Sequence, residues 1–128
     1  MTQARQLLGR LGEDLVVSRL AAAGWWIAAR NCRVPEVRGE LDIVALDGAT
    51  LVFVEVKTMQ AGALRGPESP AEMVGHRKRA KLRALAAAWL RQGDHVVPPH
   101  RHLRFDVVAL RMDQAGRVTE WNHIRAAF

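Results

Sequence analysis

The chain has 128 residues, and its 19 Lys and Arg against 13 Asp and Glu give a formal net charge of +6. This length predicts one domain, residues 1–128. The apolar stretches are only as long as strands, which argues against a membrane span, and the N-terminus lacks the basic-then-apolar order of a secretory leader. A single cysteine excludes an internal disulfide. We therefore expect a cytoplasmic protein without membrane contact, and the basic balance favours a polyanion such as nucleic acid as its partner.

The first half of the chain has the pattern of one helix followed by strands. Leucines at helical spacing predict a helix over about residues 2–23, with Gly24 as its stop. Strands are predicted next at residues 25–31, 40–46 and 51–57. Asp47 and Gly48 supply a hairpin turn between the last two of these strands, which makes that pair antiparallel.

The second half begins with residues 60–70, whose loop composition fits either a lid over a substrate or an ordinary exposed connection. Residues 69–72 have the arrangement of a helix start, and Gly93 is the predicted stop of that helix. Two more strands are predicted at residues 103–110 and 118–124, the last at a sheet edge. This order predicts an α/β fold, a three-layer sandwich with a mixed five-stranded sheet flanked by helices.

Charged side chains interrupt two neighbouring apolar runs. Successive side chains of a strand alternate between faces, so Glu55 and Lys57 point the same way. Pairing across the hairpin brings Asp42 of the preceding strand close to Glu55. Two carboxylates in an apolar sheet repel each other and lose hydration unless a cation, a proton or Lys57 offsets their charge. The pattern predicts a site for a hard divalent cation, and an ion pair with Lys57 is the alternative.

Several ordered segments resemble the motifs of the YraN family of small bacterial proteins, and together they span nearly the whole chain. They are Gly9-Arg10-Leu11-Gly12-Glu13, Asn31 and Arg33, Gly39-Glu40-Leu41-Asp42, Phe53-Val54-Glu55-Val56-Lys57 and Arg104-Phe105-Asp106-Val107. That family is grouped with the PD-(D/E)XK nuclease superfamily and is similar to archaeal Holliday-junction resolvases. The chain departs from the family pattern at Thr58 and Met59, where a basic residue is usual, and at Val16, where a small residue is common.

The resemblance implies a restriction-endonuclease-like fold and a metal-dependent endonuclease that hydrolyses DNA, with branched or damaged structures favoured. In this reading Asp42 and Glu55, helped by the backbone carbonyl of Val56, hold Mg²⁺ or Mn²⁺. Glu13 reaches in from the first helix as a direct ligand or through a water. Lys57 orients or deprotonates the attacking water and stabilises charge on the phosphate.

Other expectations concern how DNA is held. Glu40 shares the strand parity of Asp42, so it is either a further ligand or a solvated residue at the strand start. The basic first half of the second helix is predicted to contact the backbone of double-stranded or branched DNA, through Arg77, Lys78, Arg79 and Lys81. A homodimer would supply paired sites for two cuts, although the sequence identifies no interface. A non-catalytic nucleic-acid-binding or assembly protein that keeps the fold is the alternative function.

Overall fold

The computed structural model describes residues 3–61 and 74–128, and its elements follow the predicted order. They are α1 (Gln3–Ala22), β1 (Trp26–Val34), β2 (Val37–Asp47), β3 (Thr50–Gln60), α2 (His76–Arg91), β4 (His102–Met112) and β5 (Val118–Ile124). Over these described ranges, neither helix is long and apolar enough to cross a membrane.

The strands of the described ranges form one mixed sheet in the order β1-β2-β3-β4-β5. β1, β2 and β3 are joined as antiparallel neighbours, β3 and β4 run parallel, and β5 returns antiparallel at the edge. A parallel pair needs a long crossover connection, and α2 lies in that connection. The mixed sheet and the edge position of the last strand are confirmed.

The two described helices cover opposite faces of the sheet. One core cluster joins α1 to strand residues such as Ile43 and Val54, and the other joins α2 to neighbours of these residues such as Val44 and Phe53. Alternate side chains of the same strand therefore enter different layers. The predicted three-layer sandwich is confirmed.

The strands are longer than the apolar pattern predicts. β1 continues to Val34, which pairs with Val37 at the start of β2, so only a two-residue turn separates the two strands. β3 continues to Gln60 because it stays paired with β4 as far as Met112. Residues such as Arg33 and Gln60 interrupt the apolar pattern on these stretches, and backbone pairing continues the strands to Val34 and Gln60 nevertheless.

The second helix begins later than its predicted start. α2 starts at His76, with Gly75 at its N-cap, and it ends at Arg91 just before the predicted stop at Gly93. The predicted capping box at residues 69–72 lies outside the described residues. The loop predicted at residues 60–70 also lies outside them beyond Ala61.

Gly12 sets how closely α1 approaches the sheet. A Cβ added to Gly12 would overlap the side chain of Thr58 on β3. At Gly9, one turn earlier, no described atom lies within 4 Å of the place where a Cβ would stand. The two glycines of the same helix therefore differ, and close packing explains only Gly12.

We expect Gly12→Ala to lower the free energy of unfolding by about 1–3 kcal/mol, because the added methyl group forces Thr58 or α1 to move. The matched control, Gly9→Ala, should raise it by about 0.5–1 kcal/mol, because alanine favours a helix interior. Urea unfolding followed by circular dichroism measures both variants. Equal stability of the two variants would contradict the packing argument.

Candidate active site

The β2–β3 ladder ends just before the acidic residues. Its last pair is Ile43 with Val54, so Asp42 and Glu55 are the next residues on their strands. The Asp42 carboxylate accepts a hydrogen bond of 2.9 Å from the backbone N–H of Val56. This bond fixes the Asp42 carboxylate against β3, at the place where the hairpin was predicted to bring the two acidic residues together.

Carboxylates from α1 and β2 converge at this point. Glu13, Glu40 and Asp42 each place one oxygen within 4.8 Å of the others, and all three side chains are partly buried. Glu55 on β3 is 6% exposed, and its charge raises the pKa of Asp42. The structure therefore brings together the predicted acidic residues and adds Glu40, which strand parity had left undecided.

Burial and mutual repulsion raise the pKa of two of these carboxyl groups. The pKa of Asp42 is raised to about 8, first by burial and then by the charge of Glu55, while the hydrogen bond from Val56 opposes the change. The pKa of Glu13 is raised by burial and by the charge of Glu40. A cation among these oxygens would offset both effects, so the donor set and its electrostatics fit a hard divalent metal.

Two lysines contact the same oxygen of Glu55. Nζ of Lys57 lies 3.4 Å from Glu55 Oε1, and Nζ of Lys78 on α2 lies 2.8 Å from it. The pKa of Lys57 is lowered by burial and next by the neighbouring Lys78. Burial also opposes the charge on Lys78, but hydrogen bonds with Glu55 and Lys57 outweigh it and raise the pKa of Lys78. The site therefore holds a second ammonium group that the sequence had assigned only to DNA backbone contact.

Asn31 links two of the carboxylates. With its amide nitrogen turned towards them, Asn31 donates hydrogen bonds to Glu13 Oε2 at 3.0 Å and to Glu40 Oε1 at 2.9 Å. Its φ of 51° is left-handed, and asparagine tolerates that conformation better than most residues. Sequence analysis assigned Asn31 no role beyond its place in the motif, although a polar residue within a predicted strand was a signal.

A groove of about 360 Å³ lies between β2 and α2, next to the acidic cluster. It is lined by Gly39, Glu40, Arg77, Lys78, Lys81 and Leu82. Three of the four basic residues predicted to contact DNA therefore line one groove. Arg79 faces elsewhere, since its guanidinium donates to the carbonyl of Val74 and lies 5.8 Å from the centre of the Phe128 ring.

Asp106 belongs to a separate buried network. It is fully buried and accepts hydrogen bonds from Arg104 at 2.8 Å, His123 at 2.8 Å and the N–H of Ala126 at 3.1 Å. Burial alone would raise the pKa of Asp106, but these bonds and the charge of Arg104 lower it. Arg104 also pairs with Asp47, so its guanidinium group is engaged within the protein.

A family model described as Uncharacterised protein family UPF0102 matches residues 12–110 of the chain. The chain belongs to the UPF0102 family. A UPF0102 protein from Frankia casuarinae is 45% identical over 126 residues, which cover 98% of this chain and 99% of that protein. Another UPF0102 protein, from Moorella thermoacetica, is 41% identical over the full length of both chains. UPF0102 is the YraN family, so the resemblance found in the sequence is confirmed.

The span matched by the UPF0102 model contains the whole candidate site. It runs from Gly12 to Leu110 and therefore includes the acidic cluster, Asn31 and the two lysines that contact Glu55. The names of the UPF0102 relatives describe no reaction. The chemistry of this UPF0102 protein therefore has to follow from the geometry of its side chains.

Proposed function

We propose that this UPF0102 protein is a metal-dependent endonuclease that hydrolyses DNA phosphodiester bonds in the cytoplasm, with branched or damaged DNA as substrate. The observation that carries the proposal is the convergence of Glu13, Glu40 and Asp42 beside the buried Glu55 and its lysines. Carboxylate oxygens and an ammonium group at one point are what a metal-assisted attack on phosphorus uses. The resemblance to PD-(D/E)XK nucleases implies these roles for Glu13, Asp42, Glu55 and Lys57, and Glu40 is added from the geometry alone.

In this proposal Asp42, Glu55 and the Val56 carbonyl hold Mg²⁺ or Mn²⁺, with Glu13 and Glu40 beside them. When bound, the metal supplies Lewis-acid polarisation of the phosphate and acidifies a water molecule. The chain keeps the ligands in place, since the Val56 N–H holds Asp42 and the Asn31 amide holds Glu13 and Glu40. Fixed ligands reduce the reorganisation that the reaction requires.

Lys57 supplies a positive charge beside the carboxylates. Its ammonium group stabilises negative charge that develops on the phosphate, because it lies on the same strand face as Glu55. Its lowered pKa brings it nearer to exchanging a proton with the attacking water. Lys78 contacts Glu55 from the α2 side and shares this charge.

A non-catalytic nucleic-acid-binding or assembly protein is the second candidate. The ion pairs of Lys57 and Lys78 with Glu55 favour it, because they neutralise a buried carboxylate without any metal. The basic groove beside α2 would serve both functions equally well. The two candidates differ in whether DNA is cut when a divalent metal is present.

The test is incubation of the purified protein with labelled linear, flapped and four-way-junction DNA in Mg²⁺, Mn²⁺ or EDTA. We expect cleavage only with metal, and Glu55→Gln should reduce its rate by about 10³-fold, because a ligand charge is lost. Glu120→Gln, which alters an exposed ion pair on β5, is the matched control and should cut like the wild type.

Two outcomes would decide against this assignment. Tight DNA binding without cleavage in either metal selects the non-catalytic protein. Full metal-dependent cleavage in a clean Glu55→Gln preparation assigns the activity to some other group.

A further inference from the structure

A second groove borders the acidic cluster on its α1 and β1 side. It has a volume of about 570 Å³, and its lining includes Gly9, Arg10, Glu13, Asn31, Arg33 and Glu40. Glu40 also lines the groove beside α2. Glu40 therefore lies where the two grooves meet, Glu13 lines the second groove, and the lining of each groove includes basic residues.

Two exposed arginines belong to this second groove. Arg10 lies three residues before Glu13 on α1, so the two side chains occupy the same face of the helix. Arg33 lies two residues after Asn31 on β1 and points into solvent, with 78% of its side chain exposed. Its partner is Glu40 at 3.2 Å, and an exposed ion pair of this kind contributes little, so a phosphate can replace the carboxylate at small cost.

We propose that Arg10 and Arg33 bind phosphates of the same DNA whose backbone lies in the groove beside α2. The backbone then runs from one groove to the other across the carboxylates. A polyanion can cross an acidic cluster only if cations hold it on both sides, and guanidinium groups bind phosphate oxygens in a bidentate manner. The inference rests on the proposed function for the identity of the polyanion. It assigns DNA binding to the second groove as well as to the groove beside α2.

The test measures binding without cleavage. A fluorescein-labelled DNA duplex is titrated with full-length protein in EDTA at several salt concentrations, and fluorescence anisotropy reports the affinity. We expect Arg10→Gln and Arg33→Gln each to weaken binding about 5-fold and to reduce the salt slope by about one, because each removes one phosphate contact. The double variant should lose about 25-fold if the two contacts are independent.

Control variants separate the groove from general charge effects. Arg117→Gln removes the same charge from the exposed turn between β4 and β5, outside the lining of both grooves, and should bind like the wild type. Arg33→Lys keeps the charge but loses the bidentate geometry, so it should recover only part of the affinity that Arg33→Gln loses. Thermal melting by circular dichroism confirms that the exposed substitutions leave the fold unchanged.

Each outcome has a distinct meaning. Wild-type affinity in the Arg10→Gln, Arg33→Gln double variant, together with a loss in Lys81→Gln, overturns this inference and leaves the DNA in the α2 groove alone. Loss of affinity in the arginine variants supports it, even if the wild type cuts no DNA when metal is added, which would reject only the catalytic proposal. A wild type that binds no DNA in EDTA overturns the inference together with the proposed DNA substrate.

Discussion

The Asp42→Asn variant is expected to lose metal-dependent DNA cleavage by at least about 10³-fold and to be more stable than the wild type without metal. Asp42 has three carboxylates as neighbours, so its own charge is unfavourable until a cation is bound. Asparagine keeps an oxygen to accept the Val56 N–H and adds an NH₂ group that can donate to Glu55 or Glu13. The same substitution therefore removes a ligand and relieves repulsion.

The stability gain has a defined pH dependence. The pKa of Asp42 is raised from 3.8 to about 8 in the folded protein, so over this interval the unfolded chain releases a proton that the folded protein retains. The wild type therefore loses stability as the pH rises from 3.8 towards 8, whereas Asp42→Asn lacks this loss. We expect the free energy of unfolding of Asp42→Asn to exceed that of the wild type by about 1–3 kcal/mol at the upper end of this pH range.

Urea unfolding in EDTA at both ends of the pH range measures the stability difference, and calorimetric titration with Mn²⁺ measures metal affinity. Asp94→Asn, with the same chemical change at a side chain that is 78% exposed, is the control and should leave both quantities unchanged. Unaltered Mn²⁺ affinity in Asp42→Asn would reject the metal site. A variant less stable than the wild type at the higher pH would reject the electrostatic explanation.

The Asp106→Ala variant is expected to lose about 3–5 kcal/mol of stability, because it removes the fully buried carboxylate that Arg104, His123 and the N–H of Ala126 share, and leaves Arg104 with Asp47 alone. Four hydrogen bonds converge on Asp106: two come from Arg104, one from His123 on β5 and one from the N–H of Ala126 beyond it. Because the pKa of Asp106 is lowered from 3.8, its contribution is present above that pH and is lost on acidification below it.

Glu120→Ala is the matched control for Asp106→Ala, since it also removes a carboxylate bonded to an arginine on β4. Glu120 lies 2.9 Å from Arg111, but its side chain is 69% exposed, so its loss should cost less than about 1 kcal/mol. Urea unfolding of both variants gives the comparison. Equal losses would show that the Asp106 network does not stabilise the fold beyond an ordinary surface pair.

Local patterns were sufficient to predict the sheet and the centre of the site. Alternation placed Glu55 and Lys57 on one face, and the hairpin turn that follows Asp47 aligned β2 with β3 and brought Asp42 close to Glu55. The α1 contribution followed from the family motif rather than from the pattern. Backbone pairing extends β1 and β3 past their predicted ends, and hydrophobic periodicity cannot predict such an extension.

Other parts of the site depend on geometry that no local pattern contains. Lys78 reaches Glu55 because the crossover carries α2 over the sheet face, and the sequence showed it only as one of several basic residues on a helix. The role of Asn31 depends on a positive φ within β1. Gly39 has a φ of 122°, and a Cβ at this position would clash with the side chain of Lys81. A glycine here therefore lets β2 pass close to α2 just before Glu40.

The shared contact of Lys57 and Lys78 with one oxygen of Glu55 links two binding equilibria. A dication that takes this carboxylate must displace ammonium groups, which become available to an incoming polyanion. Metal uptake should therefore increase the affinity for DNA, and by thermodynamic reciprocity DNA should increase the affinity for metal by the same factor. In the proposed function, Glu55 is therefore the residue at which metal binding would release ammonium groups for the substrate.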